Sequence, residues 1–176
     1  MCDPRLRNSS ITGFFVVSIL GSAAHFLYGL FPGEILAAFV PVNESVWEHL
    51  KLLFFPFIFY TAVEYFVFGK GYTGFLFSRI VGLLCSLILI PMMFYFYTSF
   101  FGRPVLIIDI LIYFVCVAVA FIVSDRRICA GADGSPHRNI AAIIIIICLS
   151  LLFFGFTYYP PESEIFLPPT VRSSAS

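Results

Sequence analysis

Five long apolar stretches divide the chain, and short segments rich in glycine, proline and charged residues separate them. A bilayer core of about 30 Å requires about 20 apolar residues in a helix. The stretches lack the alternation of apolar and polar residues that barrel strands need. The pattern therefore predicts an all-α integral membrane bundle of about five transmembrane helices. The predicted spans cover residues 11–31, 46–68, 74–96, 105–123 and 140–159.

The segments between and after the spans indicate the domain organisation. Residues 32–42 are too few to cross a bilayer, so we expect a surface-lying or re-entrant turn there. Pro160-Pro161 ends the last helix, because proline cannot continue a helix from its interior. The sequence predicts one transmembrane helical domain over residues 1–161 and a short flexible tail over residues 162–176.

Composition agrees with a membrane location and gives little information about chemistry. Hydrophobic residues make up 60% of the chain and charged residues 11%, whereas soluble domains have about 25% charged residues. The formal net charge is zero, so no nucleic-acid partner is expected. The five cysteines contain no C-x-x-C pair and are expected to act as small buried hydrophobes.

Lysine and arginine predict an orientation, because cytoplasmic loops of membrane proteins are enriched in these residues. With the N-terminus inside, seven of the ten basic residues lie on the inner side, and only Lys51, Arg103 and Arg172 lie on the outer side. The sequence therefore predicts an N-in, C-out topology.

Polar residues collect at two levels of the predicted bundle. Charged groups within membrane helices are costly, so each marks a candidate site. Glu64 and Arg79 lie at the inner level, where an ion pair between them, or exposure of Glu64 at the interface near Lys70, is the simplest explanation. Arg103 lies at the outer level. Either it pairs with Asp109, or the Asp109 carboxylate lines a polar pocket instead. The candidate pocket at the outer level comprises His25, Asn43, Glu44, Glu48, His49 and Asp109.

The start of the second span has two interpretations. Asn43 or Ser45 can cap the helix, with Glu48 three residues after Ser45 as in a capping box. Capping does not explain why His25 and His49 lie at one level. In the second interpretation, imidazole and carboxylate groups share a pocket that binds a divalent metal or performs acid–base chemistry, with His25, Glu48 and His49 as candidate metal ligands. Glu48 and His49 differ by about 100° around the helix, so both could face the pocket only at its edges.

A stretch of fourteen residues resembles the signature of a prokaryotic multi-spanning membrane family, domain of unknown function 6512. This stretch is Asn43-Glu44-Ser45-Val46-Trp47-Glu48-His49-Leu50-Lys51-Leu52-Leu53-Phe54-Phe55-Pro56. The likeness covers most of the chain, while residues 171–176 depart from the polar, aspartate- and glycine-bearing end of that family. The resemblance implies a multi-helix membrane fold and no known activity, substrate or cofactor. It extends to His25-Phe26-Leu27-Tyr28, Glu64-Tyr65-Phe66, Tyr95-Phe96-Tyr97-Thr98, Asp109-Ile110-Leu111 and Phe156-Thr157-Tyr158-Tyr159-Pro160-Pro161.

Three functions stay open at this point for a multi-pass protein of a bacterial-type inner membrane. The pocket would bind or pass an ion or small solute. Alternatively, the protein would be a membrane-embedded, metal-assisted hydrolase or transferase acting on a lipid-linked substrate. As a third alternative, it would be an accessory subunit of a membrane complex. The expected partners are the lipid bilayer and either further copies of the chain or a larger complex, and the only cofactor considered is a divalent metal.

Overall fold

The computed structural model describes residues 3–131 and 135–168, and every regular element in these ranges is helical. Five of the helices are long and apolar enough to cross a membrane, which confirms the predicted fold class and number of spans. The orientation stays a prediction. The long helices are α1 (Pro4–Leu30), α3 (Val46–Val67), α4 (Phe75–Phe101), α5 (Leu106–Cys129) and α6 (Pro136–Tyr158), with a short α2 (Glu34–Ala37) and single 3-10 turns at Gly69–Gly71 and Glu164–Phe166.

Helix α1 begins well before the first predicted span, because its first turn is capped. The Asp3 carboxylate accepts a hydrogen bond from the Arg5 backbone N–H at 2.8 Å, and Pro4 occupies the first helical position. The polar residues that follow therefore continue the helix, and they include Ser9 and Ser10. This early start carries two hydroxyl groups into the bundle.

The helices associate through close packing of small residues. Helices α4 and α5 form the most extensive pair, and a Cβ at Gly82 of α4 would overlap the Ala120 carbonyl oxygen of α5. Helix α4 also contacts α3 and α6, while α1 packs on α3 and α5. Apolar helices gain from such close approach, since lipid tails offer no hydrophobic reason to associate. The centre of the resulting core includes Val17, Phe54, Phe57, Leu83, Cys116 and Val117, all fully buried.

The contact between α1 and α3 depends on Gly21. A Cβ on this residue would overlap the Tyr113 hydroxyl of α5 and would lie 2.5 Å from the Leu52 carbonyl oxygen of α3. The same hydroxyl donates to the Val17 carbonyl oxygen at 2.9 Å and lies 3.3 Å from the Leu52 carbonyl oxygen. Residues four apart share a helix face, so His25 follows Gly21 towards the start of α3.

Residues 32–42 fold back over the end of the bundle. Ala37 and Val40 are buried there, and their carbonyl oxygens accept hydrogen bonds from the Lys51 ammonium at 2.9 and 3.4 Å. The segment is therefore held against α3 by a buried charge on that helix.

The segment after α6 packs against the bundle in the part that the structure describes. Within the predicted tail, the Phe166 ring packs 5.0 Å from Trp47 and 5.4 Å from Phe156. Trp47 also lies 4.9 Å from Phe153. Aromatic packing thus fixes the 3-10 turn at Glu164–Phe166, and residues 169–176 lie outside the described part.

The cysteines fulfil the prediction only in part. Cys116 is a buried free thiol in the core. Cys85 and Cys148 are also free but lie on exposed positions of their helices. Cys129 is disulfide-bonded, so the expectation of a buried thiol is wrong for it. Cys2 lies outside the described residues.

Replacing Gly21 with alanine should separate α1 from α3. We expect the variant to lose about 1–3 kcal/mol of stability, because the added methyl group overpacks the contact. Thermal unfolding in detergent measures this loss. Gly29→Ala is the matched control in the same helix, since no atom lies within 4 Å of its added Cβ. Equal stability of the two variants would contradict the role given to Gly21.

Candidate functional site

The polar residues lie at the two ends of the bundle. We call one the histidine end, formed by the second half of α1, the first turns of α3 and α5 and the end of α6. We call the other the arginine end, formed by the start of α1, the ends of α3 and α5 and the first turns of α4. The predicted outer level corresponds to the histidine end and the inner level to the arginine end.

At the histidine end, three side chains converge on one point. His25 Nε2 and His49 Nε2 are 3.2 Å apart. The Glu44 carboxylate oxygen Oε2 lies 3.3 Å from His49 Nε2 and 3.7 Å from His25 Nε2. These atoms form a compact triangle that could hold a metal ion. We call this set the His–Glu triad.

The tautomer of His49 follows from its other ring nitrogen. Nδ1 lies 2.8 Å from the Ser45 carbonyl oxygen, which can only accept a hydrogen bond. Nδ1 therefore carries the hydrogen, and in the neutral ring Nε2 presents its lone pair to the other two members of the triad. Metal-binding histidines are usually oriented by such a second hydrogen bond.

The turn before α3 positions Glu44. Asn43 Oδ1 accepts a hydrogen bond from the Ser45 backbone N–H at 2.8 Å, and Ser45 Oγ accepts one from the Glu48 backbone N–H at 3.3 Å. Asn43 thus shapes the cap and takes no place in the triad. Glu44 is exposed between the two capping residues, one turn of chain from His49.

The environment of Glu44 favours its charged form. When the His49 ring is protonated on both nitrogens, its hydrogen bond lowers the pKa of the Glu44 carboxyl, and the nearby charges of His49 and His25 act in the same direction. Burial opposes this shift, but the side chain is 69% exposed. The triad therefore presents a carboxylate rather than a carboxylic acid at neutral pH.

Glu48 does not join the triad, although the sequence made it a candidate ligand. It is 2% exposed, and its Oε2 lies 2.7 Å from the Lys51 ammonium and accepts from the Val42 backbone N–H at 3.0 Å. Lys51 also donates to Thr157 Oγ1 of α6 at 2.5 Å, and this hydroxyl lies 3.3 Å from Glu48 Oε1. Glu48 therefore belongs to a closed network between α2, α3 and α6. Adjacent helical residues point about 100° apart, which directs Glu48 away from His49.

Asp109 lies beside the triad without touching it. The Tyr97 hydroxyl donates to the Asp109 carboxylate at 2.5 Å and accepts from the Val105 backbone N–H at 3.1 Å. Asp109 acts on His49 only through space. Arg103 is exposed, and within the described residues it forms no ion pair with Asp109, so the tyrosine replaces the arginine as its partner.

At the arginine end, the expected pair of Glu64 and Arg79 is present. The guanidinium lies 2.8 Å from the Glu64 carboxylate and is fully buried. Sequence reasoning missed its second carboxylate, Asp125, which also lies at 2.8 Å. The hydroxyls of Ser10 and Ser124 accept from the same guanidinium at 3.0 and 2.7 Å.

Two signals in the sequence could have indicated the missed residues. Asp125 lies directly before Arg126-Arg127, a pattern typical of a solvated helix end. The signal is instead that the guanidinium of a buried arginine commonly binds more than one acceptor. Thr157 lies inside an aromatic segment of α6, where a hydroxyl needs a partner. Neither signal specifies the partner without the packing of the helices.

Fold and site together define a class: an all-helical protein with five helices long and apolar enough to span a membrane and a His–Glu triad at one end. The chain belongs to a family of unknown function, DUF6512, whose family model matches residues 5–171. This confirms the resemblance seen in residues 43–56. No curated protein and no solved structure matches the chain significantly.

Replacing Lys51 with methionine should strongly destabilise the protein. The change leaves the Glu48 carboxylate buried without a cation, and breaking a buried ion pair from one side costs about 3–5 kcal/mol. Thermal unfolding should show a large decrease for Lys51→Met and a smaller one for the double variant Glu48→Gln/Lys51→Met, in which no charge is left unpaired.

Lys70→Met is the matched control for this prediction. Lys70 is exposed and lies 5.0 Å from the Phe66 ring centroid. Its replacement should change stability by less than about 0.5 kcal/mol. If Lys51→Met and Lys70→Met unfold at the same temperature, the buried network has no structural role.

Proposed function

We propose that this protein is a membrane protein that binds a divalent metal ion with zinc-like preference through His25, His49 and Glu44. The spacing of the three donor atoms, 3.2 to 3.7 Å, is the observation that carries the proposal. In a tetrahedral zinc site with bonds of about 2.0–2.1 Å, neighbouring ligand atoms lie about 3.3 Å apart. One ion could therefore bind all three atoms with little movement of the helices.

The protonation of the triad also supports a cation. His49 Nδ1 carries the hydrogen, so the Nε2 lone pair is directed towards His25 Nε2 and a charged Glu44 oxygen. Such a set has more acceptors than donors, which is unfavourable unless a proton or a metal ion joins it. Two imidazoles with one carboxylate form a ligand set that zinc commonly takes.

The triad has one open side. The side chains of His25 and His49 are 30% exposed, and that of Glu44 is 69% exposed. A metal with three protein ligands and an open position is typical of catalytic zinc sites, in which the ion activates a bound water. This favours a metal-assisted hydrolase or transferase acting on a lipid-linked substrate as the second candidate function. With the predicted N-in topology, the site would face the outer side of the membrane.

Ion binding is better supported than ion passage. Directly beneath the triad, the Tyr113 hydroxyl fills the space between α1, α3 and α5 and contacts the Val17 and Leu52 carbonyl oxygens. Gly21 lies in contact with the same hydroxyl. An ion at the triad would have to displace this packing in order to move further into the bundle.

Zinc titration of the detergent-purified protein tests the proposal. We expect about one zinc ion per chain, and stabilisation against heat by about 2.7 kcal/mol at a zinc concentration of 100 times Kd. His25→Ala, His49→Ala and Glu44→Ala should each weaken zinc binding by more than about 100-fold, which exceeds the effect of about 10–100-fold for residues that only hydrogen-bond to a metal ligand.

His137→Ala is the matched control, because His137 is exposed at the start of α6, at the opposite end of the bundle. It should bind zinc as the wild type does, and so should Glu48→Gln if that side chain is only structural. Equal zinc content in wild type and in the double variant His25→Ala/His49→Ala would refute the metal site.

A further inference from the structure

The buried network around Arg79 contains more negative than positive charge if both of its carboxyls are ionised. Arg79 is the cation of this network, and its guanidinium stays charged at any physiological pH. Glu64 and Asp125 both pair with it at 2.8 Å. Among the described residues, no second cation lies within ion-pairing distance of either carboxylate, and the nearby Arg7 is exposed at the edge of a groove. One uncompensated negative charge would therefore be buried where four helices meet.

The two carboxyls differ in their access to water. Asp125 has a side chain that is 21% exposed and lines a groove between α1 and α5, together with Ser10. Glu64 has a side chain that is only 2% exposed. Water can hydrate a charge on Asp125, whereas a charge on Glu64 must be compensated by the protein.

The hydrogen bonds to the Glu64 carboxyl all go to one of its two oxygens. Its Oε1 accepts from Arg79 at 2.8 Å and from the Ser9 hydroxyl at 2.7 Å. Its Oε2 is buried and has no hydrogen-bond partner in the described part of the chain. The Tyr60 hydroxyl, on the same helix, donates to the Ser9 carbonyl oxygen and does not reach Oε2. If Glu64 were ionised, Oε1 would accept two hydrogen bonds and Oε2 none. Such a charged group costs free energy in surroundings of low dielectric constant.

We propose that the arginine end is a proton-binding site, in which Glu64 is neutral with the proton on Oε2 and Asp125 is the ionised partner of Arg79. One positive and one negative charge then remain, and the buried network has no net charge. The hydrogen-bonded chain from Asp125 through Ser10 and Arg79 to Glu64 connects the site to the groove.

Proton binding at this position would affect the packing of the bundle. The network joins α1, α3, α4 and α5 through Ser10, Glu64, Arg79 and Asp125. Loss of the proton would leave two carboxylates sharing one guanidinium, with one excess negative charge between these helices. The side-chain hydroxyl of Thr61, one turn earlier on α3, is also buried without a partner in the described residues.

Infrared difference spectroscopy of the full-length protein in detergent tests whether the proton is present. The wild type at neutral pH should show the carbonyl stretch of a protonated carboxylic acid, and Glu64→Gln should lose it. Glu162→Gln, which changes an exposed carboxylate, is the control and should keep the band. Absence of the band from the wild type would overturn the proposal.

Thermal unfolding then identifies the residue that holds the proton. Glu64→Gln replaces a neutral group by a neutral group of the same shape, so its midpoint should change by less than about 2 °C. Asp125→Asn removes the ionised partner of Arg79 and should lower the midpoint by about 5 °C or more, or prevent folding. A Glu64→Gln variant that is destabilised as much as Asp125→Asn, or that fails to fold, would place the charge on Glu64 and contradict the proposal. Zinc binding at the histidine end should be unchanged in Glu64→Gln, so this result is independent of the metal site.

Discussion

A charged side chain inside an apolar helical bundle has no water to hydrate it, so it must find its partners on neighbouring helices. Arg79 does so by binding the carboxyl groups of Glu64 on α3 and Asp125 on α5 and a hydroxyl from α1. Lys51 does so with a carboxylate on its own helix, two carbonyls of the segment that folds back over the bundle and a hydroxyl of α6. Each network joins elements far apart in sequence, and together they fix the helix arrangement at both ends.

The same constraint separates structural from candidate functional groups. The ammonium of Lys51 and the carboxylate of Glu48 are satisfied by protein groups and closed to solvent. The His–Glu triad is different, because its donor atoms face one another and one side is open. Glu64 lies between these two cases, since it is buried like Glu48 but one of its oxygens has no hydrogen-bond partner among the described residues. A closed network stabilises a fold, whereas an incomplete one is where a ligand, here a metal ion or a proton, can bind.

Parts of the site were accessible to sequence reasoning, and parts were not. The level of His25 and His49 follows from their distance to the predicted span ends, and their rings do meet. The pair of Glu64 and Arg79 follows in the same way, because both lie near one end of adjacent spans. Asp125 was missed because its position next to two arginines suggests solvent, and only the early start of α1 and the packing of α5 bring it to Arg79.

The sequence by itself determined the number and approximate bounds of the membrane-length helices and the two levels of polar residues. Bilayer thickness and backbone hydrogen bonding act on each segment separately, so these properties are local. Only the tertiary structure decided that Glu44, and not Glu48, meets His25 and His49. Glu48 and His49 are neighbours on α3 and point about 100° apart. The close approach of α1 at Gly21 places His25 beside His49, so Glu48 points away from both histidines.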